Sequence, residues 1–157
     1  ISIKCQDGDV KEARSSEAGL TIAVTDQNDH RPTFHLSKYK GHIYENSEQA
    51  QVRWDPANGA PRAHDKDFGR NARLTYTLRD FTPNAPVIGD SEFFKLDGGH
   101  LFVNMVLDAE ERTSFKFLLE ATDDGEPRLS SNTTLEIFVD DVNDNTPFFE
   151  QSLYMFE

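Results

Sequence analysis

Two stretches of the sequence carry one pattern, Asp26-Gln27-Asn28-Asp29-His30-Arg31-Pro32 and Asp141-Val142-Asn143-Asp144-Asn145-Thr146-Pro147. Each follows an apolar run rich in β-branched residues, and each ends in a proline. Carboxylate and amide oxygens at alternate positions are ligands for a hard cation. The copies lie about a hundred residues apart, which is the size of one small domain. The spacing therefore predicts a tandem array in which each copy links two β-domains.

The composition excludes several classes of function. A net charge of −12 and a pI near 4.7 argue against nucleic acid, whose phosphates require clusters of Lys and Arg. No apolar run approaches the roughly 20 residues of a membrane helix, so we expect no membrane contact by this segment. No basic and then apolar leader begins the chain, which predicts a piece of a longer protein.

Two further residues carry expectations about the compartment. The single cysteine, Cys5, excludes a disulfide within this chain and a thiolate zinc site. Cys5 ends an alternating strand pattern, so we expect a buried thiol; a partner outside this sequence is the alternative. Asn132 begins the triplet Asn132-Thr133-Thr134, which permits N-glycosylation in a secreted protein.

Alternation of apolar and polar residues with period two predicts an all-β fold. Residues 1–5 and 19–25 are expected to be two strands around a charged loop. Seven strands then follow with turn signals between them, which favours a seven-stranded Greek-key, Ig-like β-sandwich. These seven strands are predicted at 39–45, 49–54, 74–78, 93–96, 100–103, 115–122 and 133–140.

The pattern divides the chain into three parts. Residues 1–30 are expected to be the C-terminal part of a preceding domain with its linker, and residues 31–143 a complete domain. Residues 144–157 are expected to finish the second linker and begin a third domain. Within the complete domain, residues 55–61 contain two prolines and a glycine and predict a loop. Trp54 before that loop is either a packing residue or a binding anchor.

Four acidic clusters lie within the complete domain, and each one alone is compatible with a turn or a solvated strand end. The loop that begins at Asp65 is not an EF-hand, because Arg70 occupies the position that requires glycine and Tyr76 the position that requires glutamate. The clusters are Tyr44-Glu45-Asn46, Asp65-Lys66-Asp67-Phe68-Gly69-Arg70-Asn71, Leu107-Asp108-Ala109-Glu110 and Thr122-Asp123-Asp124-Gly125.

Together the motifs resemble the extracellular repeat of the cadherin family. The resemblance covers residues 32–143 and extends to both flanks, so it implies one complete repeat with parts of both neighbours in a long or atypical cadherin. The matching motifs, in family order, are Glu45, Asp65-x-Asp67-x-Gly69-x-Asn71-x-x-Leu74-x-Tyr76, Leu107-Asp108-x-Glu110, Ala121-x-Asp123-x-Gly125-x-Pro127 and Asp141-x-Asn143-Asp144-Asn145-x-Pro147.

The resemblance implies up to about three Ca²⁺ ions at each complete junction between repeats. At the N-terminal junction it assigns side chains of Asp26, Asn28, Asp29, Asp65, Asp67 and Asp123, with backbone oxygens near Gln27, His30 and Asn71. At the C-terminal junction it assigns Glu45, Asp108, Glu110, Asp141, Asn143 and Asp144, with Val142 and Asn145 completing the linker. The neighbouring repeats supply the other ligands, so each junction is only partly represented here.

His30 is a departure, because the family usually has asparagine at this position. The position is expected to contribute its backbone oxygen, and the imidazole is expected to be an isolated ring on the surface. Zinc would require nitrogen or sulfur ligands, and the five histidines are scattered along the sequence.

The resemblance implies an extracellular segment of calcium-dependent cell–cell adhesion, in a parent chain anchored by a single membrane pass. Other cadherin ectodomains are the expected partners, homophilic or heterophilic. The alternative is a spacer, receptor or tether repeat that recognises a heterophilic partner without homophilic adhesion. An enzyme, for example a glycosidase with paired carboxylates, is not expected because the acids lie at both poles of the domain.

Overall fold

The computed structural model describes residues 1–6, 8, 14–81 and 89–147. The expected third domain at 148–157 lies outside the described residues. Within the described ranges no helix has the length and hydropathy of a membrane span. The strands are β1 (Ser2–Gln6), β2 (Ser15–Gly19), β3 (Thr33–Phe34), β4 (Lys38–Tyr44), β5 (Arg53–Trp54), β6 (Ala63–His64), β7 (Thr75–Asp80), β8 (Phe94–Asp97), β9 (His100–Val103), β10 (Ser114–Thr122) and β11 (Ser130–Asp140), with one 3₁₀ turn at Asp90–Phe93.

The main sheet has five strands in the order β5-β4-β11-β10-β7. All neighbours are antiparallel except β4 and β11, which run parallel from Thr134 beside Lys38 to Asp140 beside Tyr44. The second layer contains the pairs β3–β6 and β8–β9. Gln51 bridges to Phe102 before the chain reaches β5, so this segment passes from one layer to the other. The fold is an Ig-like β-sandwich, as the sequence predicts.

Strict alternation along the two longest strands builds the core. In β10 the side chains of Phe115, Phe117 and Leu119 are buried, and the residues between them face outward. Phe94 of β8 packs edge-on against Phe115 with the ring centroids 5.4 Å apart, and it lies 5.0 Å from Phe117. Trp54 packs against the same core, which supports its prediction as a packing residue.

The parallel pairing of β4 with β11 positions the candidate site. Both strands end at the same pole, so Tyr44 and Asp140 are neighbours where the second linker leaves the sheet. At the opposite pole β10 ends at Thr122 and β11 begins at Ser130, with the Asp123 turn between them. The two linkers therefore meet opposite poles of the sandwich.

Two expectations for the first thirty residues are wrong. The second strand of this segment is β2 at Ser15–Gly19, which lies in the expected charged loop except for Gly19, and residues 20–25 form no strand. Cys5 is exposed rather than buried, as is every residue of β1 and β2. Alternation signals a strand that can bury one face, but this hairpin packs no layer on either face within the described residues.

The complete repeat differs from prediction in smaller ways. Only Arg53–Trp54 of the expected strand 49–54 is a strand, preceded by the bridge at Gln51. The two-residue strands β3 and β6 were not predicted, because a run of two residues carries no periodic signal.

Candidate functional site

At the N-terminal pole the first linker lies directly on a loop of the repeat. Asp26 Oδ2 accepts hydrogen bonds from the backbone amide of Phe68 at 2.9 Å and from Asn71 Nδ2 at 3.0 Å. Gln27 contributes its carbonyl oxygen, which accepts from the Asp29 amide at 3.1 Å. The acidic loop that begins at Asp65 therefore holds the start of the linker.

Asn28 is enclosed by the turn that follows β10. Its Nδ2 donates to Asp123 Oδ1 at 3.1 Å and to the Pro127 carbonyl at 2.5 Å. The turn passes so close that a Cβ on Gly125 would lie 2.3 Å from Asn28 Cγ. Glycine is the residue that permits this approach, which gives a physical reason for the Asp-x-Gly-x-Pro motif.

Buried oxygens without hydrogen-bond donors mark this pole. The Asp123 side chain is buried and accepts amide hydrogens from Gly125 and Leu129. Asp65 is 6% exposed, and its Oδ1 accepts the Asp67 amide at 3.0 Å. Within the described residues, Asp65 Oδ2 and Asn28 Oδ1 are buried and have no partner. Such oxygens are costly to bury unless a cation satisfies them, so this donor set fits a metal ion.

His30 does not stand alone on the surface, and that expectation is wrong. Its Nδ1 lies 2.7 Å from Asp29 Oδ1 and 2.7 Å from Asp67 Oδ1, while its backbone amide donates to Asp67 Oδ2 at 3.1 Å. The hydrogen bond to Asp67 raises the pKa of His30 against the effect of burial, and the charge of Asp29 raises it further. Burial alone would raise the pKa of Asp67, but the hydrogen bonds from His30 lower it.

At the C-terminal pole Glu45 joins three segments. Its side chain is buried at the end of β4, where Oε2 accepts the Ala109 amide and Oε1 accepts the Val142 amide, both at 2.7 Å. These two backbone hydrogen bonds lower the pKa of Glu45. The carboxylate therefore ties the Asp108 loop to the second linker.

Three acidic side chains crowd together beside Glu45. Ligand oxygens of Glu45, Asp108 and Glu110 all lie within 4.8 Å of one another. The Glu110 amide lowers the pKa of its own side chain, but the hydrogen bond shared with Asp108, burial and the charge of Glu45 raise it overall. Burial raises the pKa of Asp141, and the neighbouring Glu45 and Asp144 raise it further. The C-terminal pole thus concentrates negative charge, and among the described residues no cationic side chain belongs to this oxygen cluster.

Two side-chain amides, one on the linker and one on the repeat, complete this pole. Asn145 Nδ2 donates to Glu110 Oε1 and Asn46 Nδ2 donates to Asp144 Oδ2, both at 2.6 Å. Asn46 was not among the predicted site residues. Asn46 lies two residues after the end of β4 in a left-handed backbone conformation, with φ of 56°, and its side chain reaches the linker. The motif Tyr44-Glu45-Asn46 contained the only available signal.

Comparison with known proteins identifies the fold as one of an established family. A family model described as Cadherin domain matches residues 39–140. The chain belongs to the cadherin family. The complete unit is therefore a cadherin repeat, in agreement with the resemblance of its motifs.

Similar proteins extend the match over nearly the whole chain. The human protein Cadherin EGF LAG seven-pass G-type receptor 1 is 36% identical over 154 residues, which is 98% of this chain and 5% of that protein. Human Protocadherin gamma-A1 is 34% identical over 135 residues, 86% of this chain and 14% of that protein. The chain thus spans a small fraction of the cadherins that it matches.

Solved structures agree with the sequence relatives. Extracellular cadherin domains 3–6 of Protocadherin Gamma B2 superpose with a TM-score of 0.71 at 30% identity, covering 98% of this chain and 35% of that structure. Mouse Cadherin-23 EC22–24 gives a TM-score of 0.65 at 31% identity, covering 90% of this chain and 41% of that structure.

The cadherin repeat gathers the predicted site residues at two poles rather than at one centre. Asp26, Asn28, Asp65, Asp67 and Asp123 lie around the first linker, and Glu45, Asp108, Glu110 and Asp144 lie around the second. Asn71 approaches Asp26 through its side chain, whereas a backbone oxygen was expected. Asn143 is exposed on the second linker, and Asn132 is exposed on β11.

Proposed function

We propose that this chain is an extracellular segment of a calcium-dependent cell–cell adhesion protein. In this proposal residues 1–30, 31–143 and 144–157 are the end of one cadherin repeat, a complete repeat and the start of the next. The parent protein is membrane-anchored, and its partners are other cadherin ectodomains. Family membership supports the adhesive role, and the acidic poles support the calcium dependence.

The crowding of Glu45, Asp108 and Glu110 is the observation that carries the proposal. Ionised carboxylates this close repel one another, and the ligand oxygens of these three side chains all lie within 4.8 Å of one another. A divalent cation relieves it. Ca²⁺ suits such a site because it takes about six to eight oxygen ligands in irregular geometry, whereas Mg²⁺ requires a regular octahedron.

Five carboxylates at each junction would hold the ions. When bound, Ca²⁺ supplies positive charge that neutralises both linker and repeat, up to about three ions for a complete junction. Meanwhile Glu45 and Asn28 already fasten the linkers to the repeat by hydrogen bonds. The carboxylates are Asp26, Asp29, Asp65, Asp67 and Asp123 at the first junction, and Glu45, Asp108, Glu110, Asp141 and Asp144 at the second.

Rigidity of the tandem array follows from this arrangement. Each linker contacts the repeat through groups that also carry the ligand oxygens. Neutralising those oxygens removes the repulsion that would separate the linker from the repeat. Calcium thus turns a flexible string of repeats into a rod that can present an adhesive surface.

Thermal unfolding tests the calcium junctions. We expect millimolar Ca²⁺ to raise the Tm of the chain by several degrees over EDTA, because a ligand at about 100 times its Kd stabilises by roughly 2.7 kcal/mol. Equal Mg²⁺ should raise it less. Glu110→Gln should weaken the calcium effect, whereas Glu111→Gln, which alters an exposed neighbour outside the oxygen cluster, should not. An equal calcium response in both variants would refute the assignment.

A second candidate function is heterophilic recognition without homophilic adhesion. A surface depression of about 360 Å³ lies beside the proline-containing loop, where Trp54, Arg53 and His42 face it together with Asp55, Pro56 and Asp140. Beads coated with the extended ectodomain distinguish the two candidates. Aggregation of these beads in Ca²⁺ supports homophilic adhesion. Capture of a partner that is lost when residues 56–61 are replaced supports the alternative.

Asn132 is proposed to carry an N-linked glycan. The side chain is exposed on β11, while Thr133 is buried and its hydroxyl donates to the Leu36 carbonyl at 2.8 Å. A glycan at Asn132 would therefore project from the outer face of the main sheet. Protein secreted from animal cells should lose mass on treatment with a peptide N-glycosidase, and Asn132→Gln should remove that loss.

A further inference from the structure

The His30 imidazole supplies a nitrogen ligand in the middle of an oxygen-rich junction. Its Nδ1 is within 2.7 Å of one carboxylate oxygen each from Asp29 and Asp67. A ring nitrogen carries at most one hydrogen, so it cannot donate a well-aligned hydrogen bond to both carboxylates at once. These three residues offer ligand atoms that all lie within 4.8 Å of one another.

We propose that Asp29, His30 and Asp67 form a binding site for Zn²⁺. Zinc takes imidazole nitrogen and carboxylate oxygen in a four-coordinate arrangement, here with water in the fourth position. Calcium takes oxygen ligands, so the ring of His30 adds affinity for zinc and not for calcium. The five histidines are scattered along the sequence, but a single histidine between two carboxylates already offers three zinc ligands.

The surroundings of the three ligands are compatible with this ion. The Asp67 side chain is 2% exposed and is held by the His30 amide, whereas the imidazole is 47% exposed and has room to move. Zn–N and Zn–O bonds of about 2.0–2.2 Å in a tetrahedron place ligand atoms roughly 3.3 Å apart. The ring therefore needs to withdraw by only about 0.6 Å from its present contacts.

A separate observation indicates that the same loop is built to hold a cation. Asp65 lies two residues before Asp67 and shares a turn with it through the Asp67 amide. Its other oxygen, Oδ2, is buried without a hydrogen-bond partner among the described residues. A buried carboxylate oxygen in this state favours a nearby positive charge.

The zinc site overlaps the proposed calcium junction but does not depend on it. Asp29 and Asp67 belong to both, so zinc bound here removes two of the five carboxylates that the first junction offers to calcium. Zn²⁺ should therefore weaken calcium binding at this pole. The C-terminal pole is expected to be insensitive to zinc, because its cluster of Glu45, Asp108 and Glu110 contains no imidazole.

Calorimetric titration of the full chain with ZnCl₂, after removal of metals, tests the proposal. His30→Asn gives the first linker the residue that Asn145 provides in the second, and we expect it to weaken zinc binding by roughly tenfold or more. His42→Asn is the matched control, because the His42 Nδ1 also contacts a carboxylate, that of Asp140, but Arg53 occupies the second oxygen of that group. Zinc affinity should be unchanged in this control.

Cobalt provides the second measurement. Co²⁺ in place of Zn²⁺ should give visible absorption bands of a tetrahedral nitrogen and oxygen site, and His30→Asn should abolish them. Zinc binding that is absent, or equal in wild type and His30→Asn, overturns the proposal. The calcium-induced rise in Tm is measured separately, for wild type and for His30→Asn. If the wild-type chain shows no such rise, the calcium junction is refuted, while a zinc result still stands.

Discussion

At the scale of single residues, close approach and burial explain why the motifs contain the residues they do. Gly125 admits Asn28 into the turn after β10, and Glu45 reaches two backbone amides from the end of β4. Each role joins segments that are distant in sequence. Glu45 accepts hydrogen bonds from amides 64 and 97 residues away, and Gly125 leaves space for the side chain of the first linker.

Gly125→Ala tests the first of these contacts. The new Cβ must displace Asn28, so we expect a smaller Tm increase on adding Ca²⁺ and little change in EDTA. The measurement is a double-mutant cycle by thermal unfolding with Asn28→Ala. In the Asn28→Ala background the effect of Gly125→Ala on the calcium response should vanish. A persistent effect would mean that the glycine acts on the turn itself and not on the linker.

At the scale of strands, the main sheet combines a tightly packed inner face with charged rows on its outer face. Gly41 in β4 faces the core, where a Cβ would lie 2.5 Å from Val52 Cγ1 and 3.0 Å from Ile137 Cδ1. On the outer face Glu136 of β11 lies between Lys40 and Lys116 of the neighbouring strands. The inner face sets stability through packing, and the outer face modulates it through charge.

Gly41→Ala should destabilise the repeat by about 1–3 kcal/mol, because an added methyl group has no space between Val52 and Ile137. For a domain of this size each kcal/mol lowers Tm by roughly 4–8 °C. Gly19→Ala is the control, since nothing lies within 4 Å of its Cβ position in β2. Urea unfolding in EDTA gives the comparison. Equal midpoints for the two variants would contradict the packing argument.

The lowered pKa of Glu136 predicts that folding stability depends on pH through a residue of the main sheet that is not a proposed metal ligand. The hydrogen bond from Lys38 at 2.5 Å lowers its pKa, against the effect of burial. A carboxyl whose pKa is lower in the folded state than in the unfolded state stabilises the fold at pH values above its unfolded-state pKa. This contribution is lost as pH falls through the folded-state pKa. Lys38 is 43% exposed, so solvent screening keeps the contribution small.

Glu136→Gln should therefore lower stability at pH 7 by roughly 0.2–1 kcal/mol. The difference from wild type should shrink between pH 7 and about pH 2, as pH falls through the lowered pKa of the Glu136 carboxyl. Urea unfolding in EDTA at both pH values measures it. A difference that is the same at both pH values would indicate lost packing or hydrogen bonding instead of charge.

At the scale of the whole molecule, the proposed function makes the chain one unit of a linear assembly, with an acidic pole at each end of the repeat. Each linker is fastened to the repeat at one pole, and the remaining ligands of each junction come from the neighbouring repeats under the proposed function. Stiffness is thus a property of consecutive repeats together. It cannot be supplied by one repeat alone.

Small-angle scattering of a chain extended by one repeat on each side tests this property. We expect a longer maximum dimension and a narrower range of shapes in Ca²⁺ than in EDTA, because neutralised junctions hold the repeats in line. Asp144→Ala should loosen the second junction, while Asp97→Ala in the β8–β9 hairpin should not. Identical scattering with and without calcium would contradict the stiffening role.

Sequence alone determined the fold and the residue types of both poles, because both follow from local pattern. Period-two alternation located β4, β10 and β11, and the acidic motifs in their order carried the resemblance to the cadherin repeat. The local pattern wrongly predicted a strand at residues 20–25 and a buried thiol at Cys5. An alternating run has the same sequence pattern whether or not another layer packs against it.

The tertiary structure alone decided which side chains meet. The parallel pairing of β4 and β11 brings the amide of Val142 to Glu45 across 97 residues of sequence. The linker geometry places His30 between Asp29 and Asp67, which no spacing in the sequence indicates. Strand pairing and layer packing set the contacts between distant segments, and the periodicity of the sequence does not predict which segments pair.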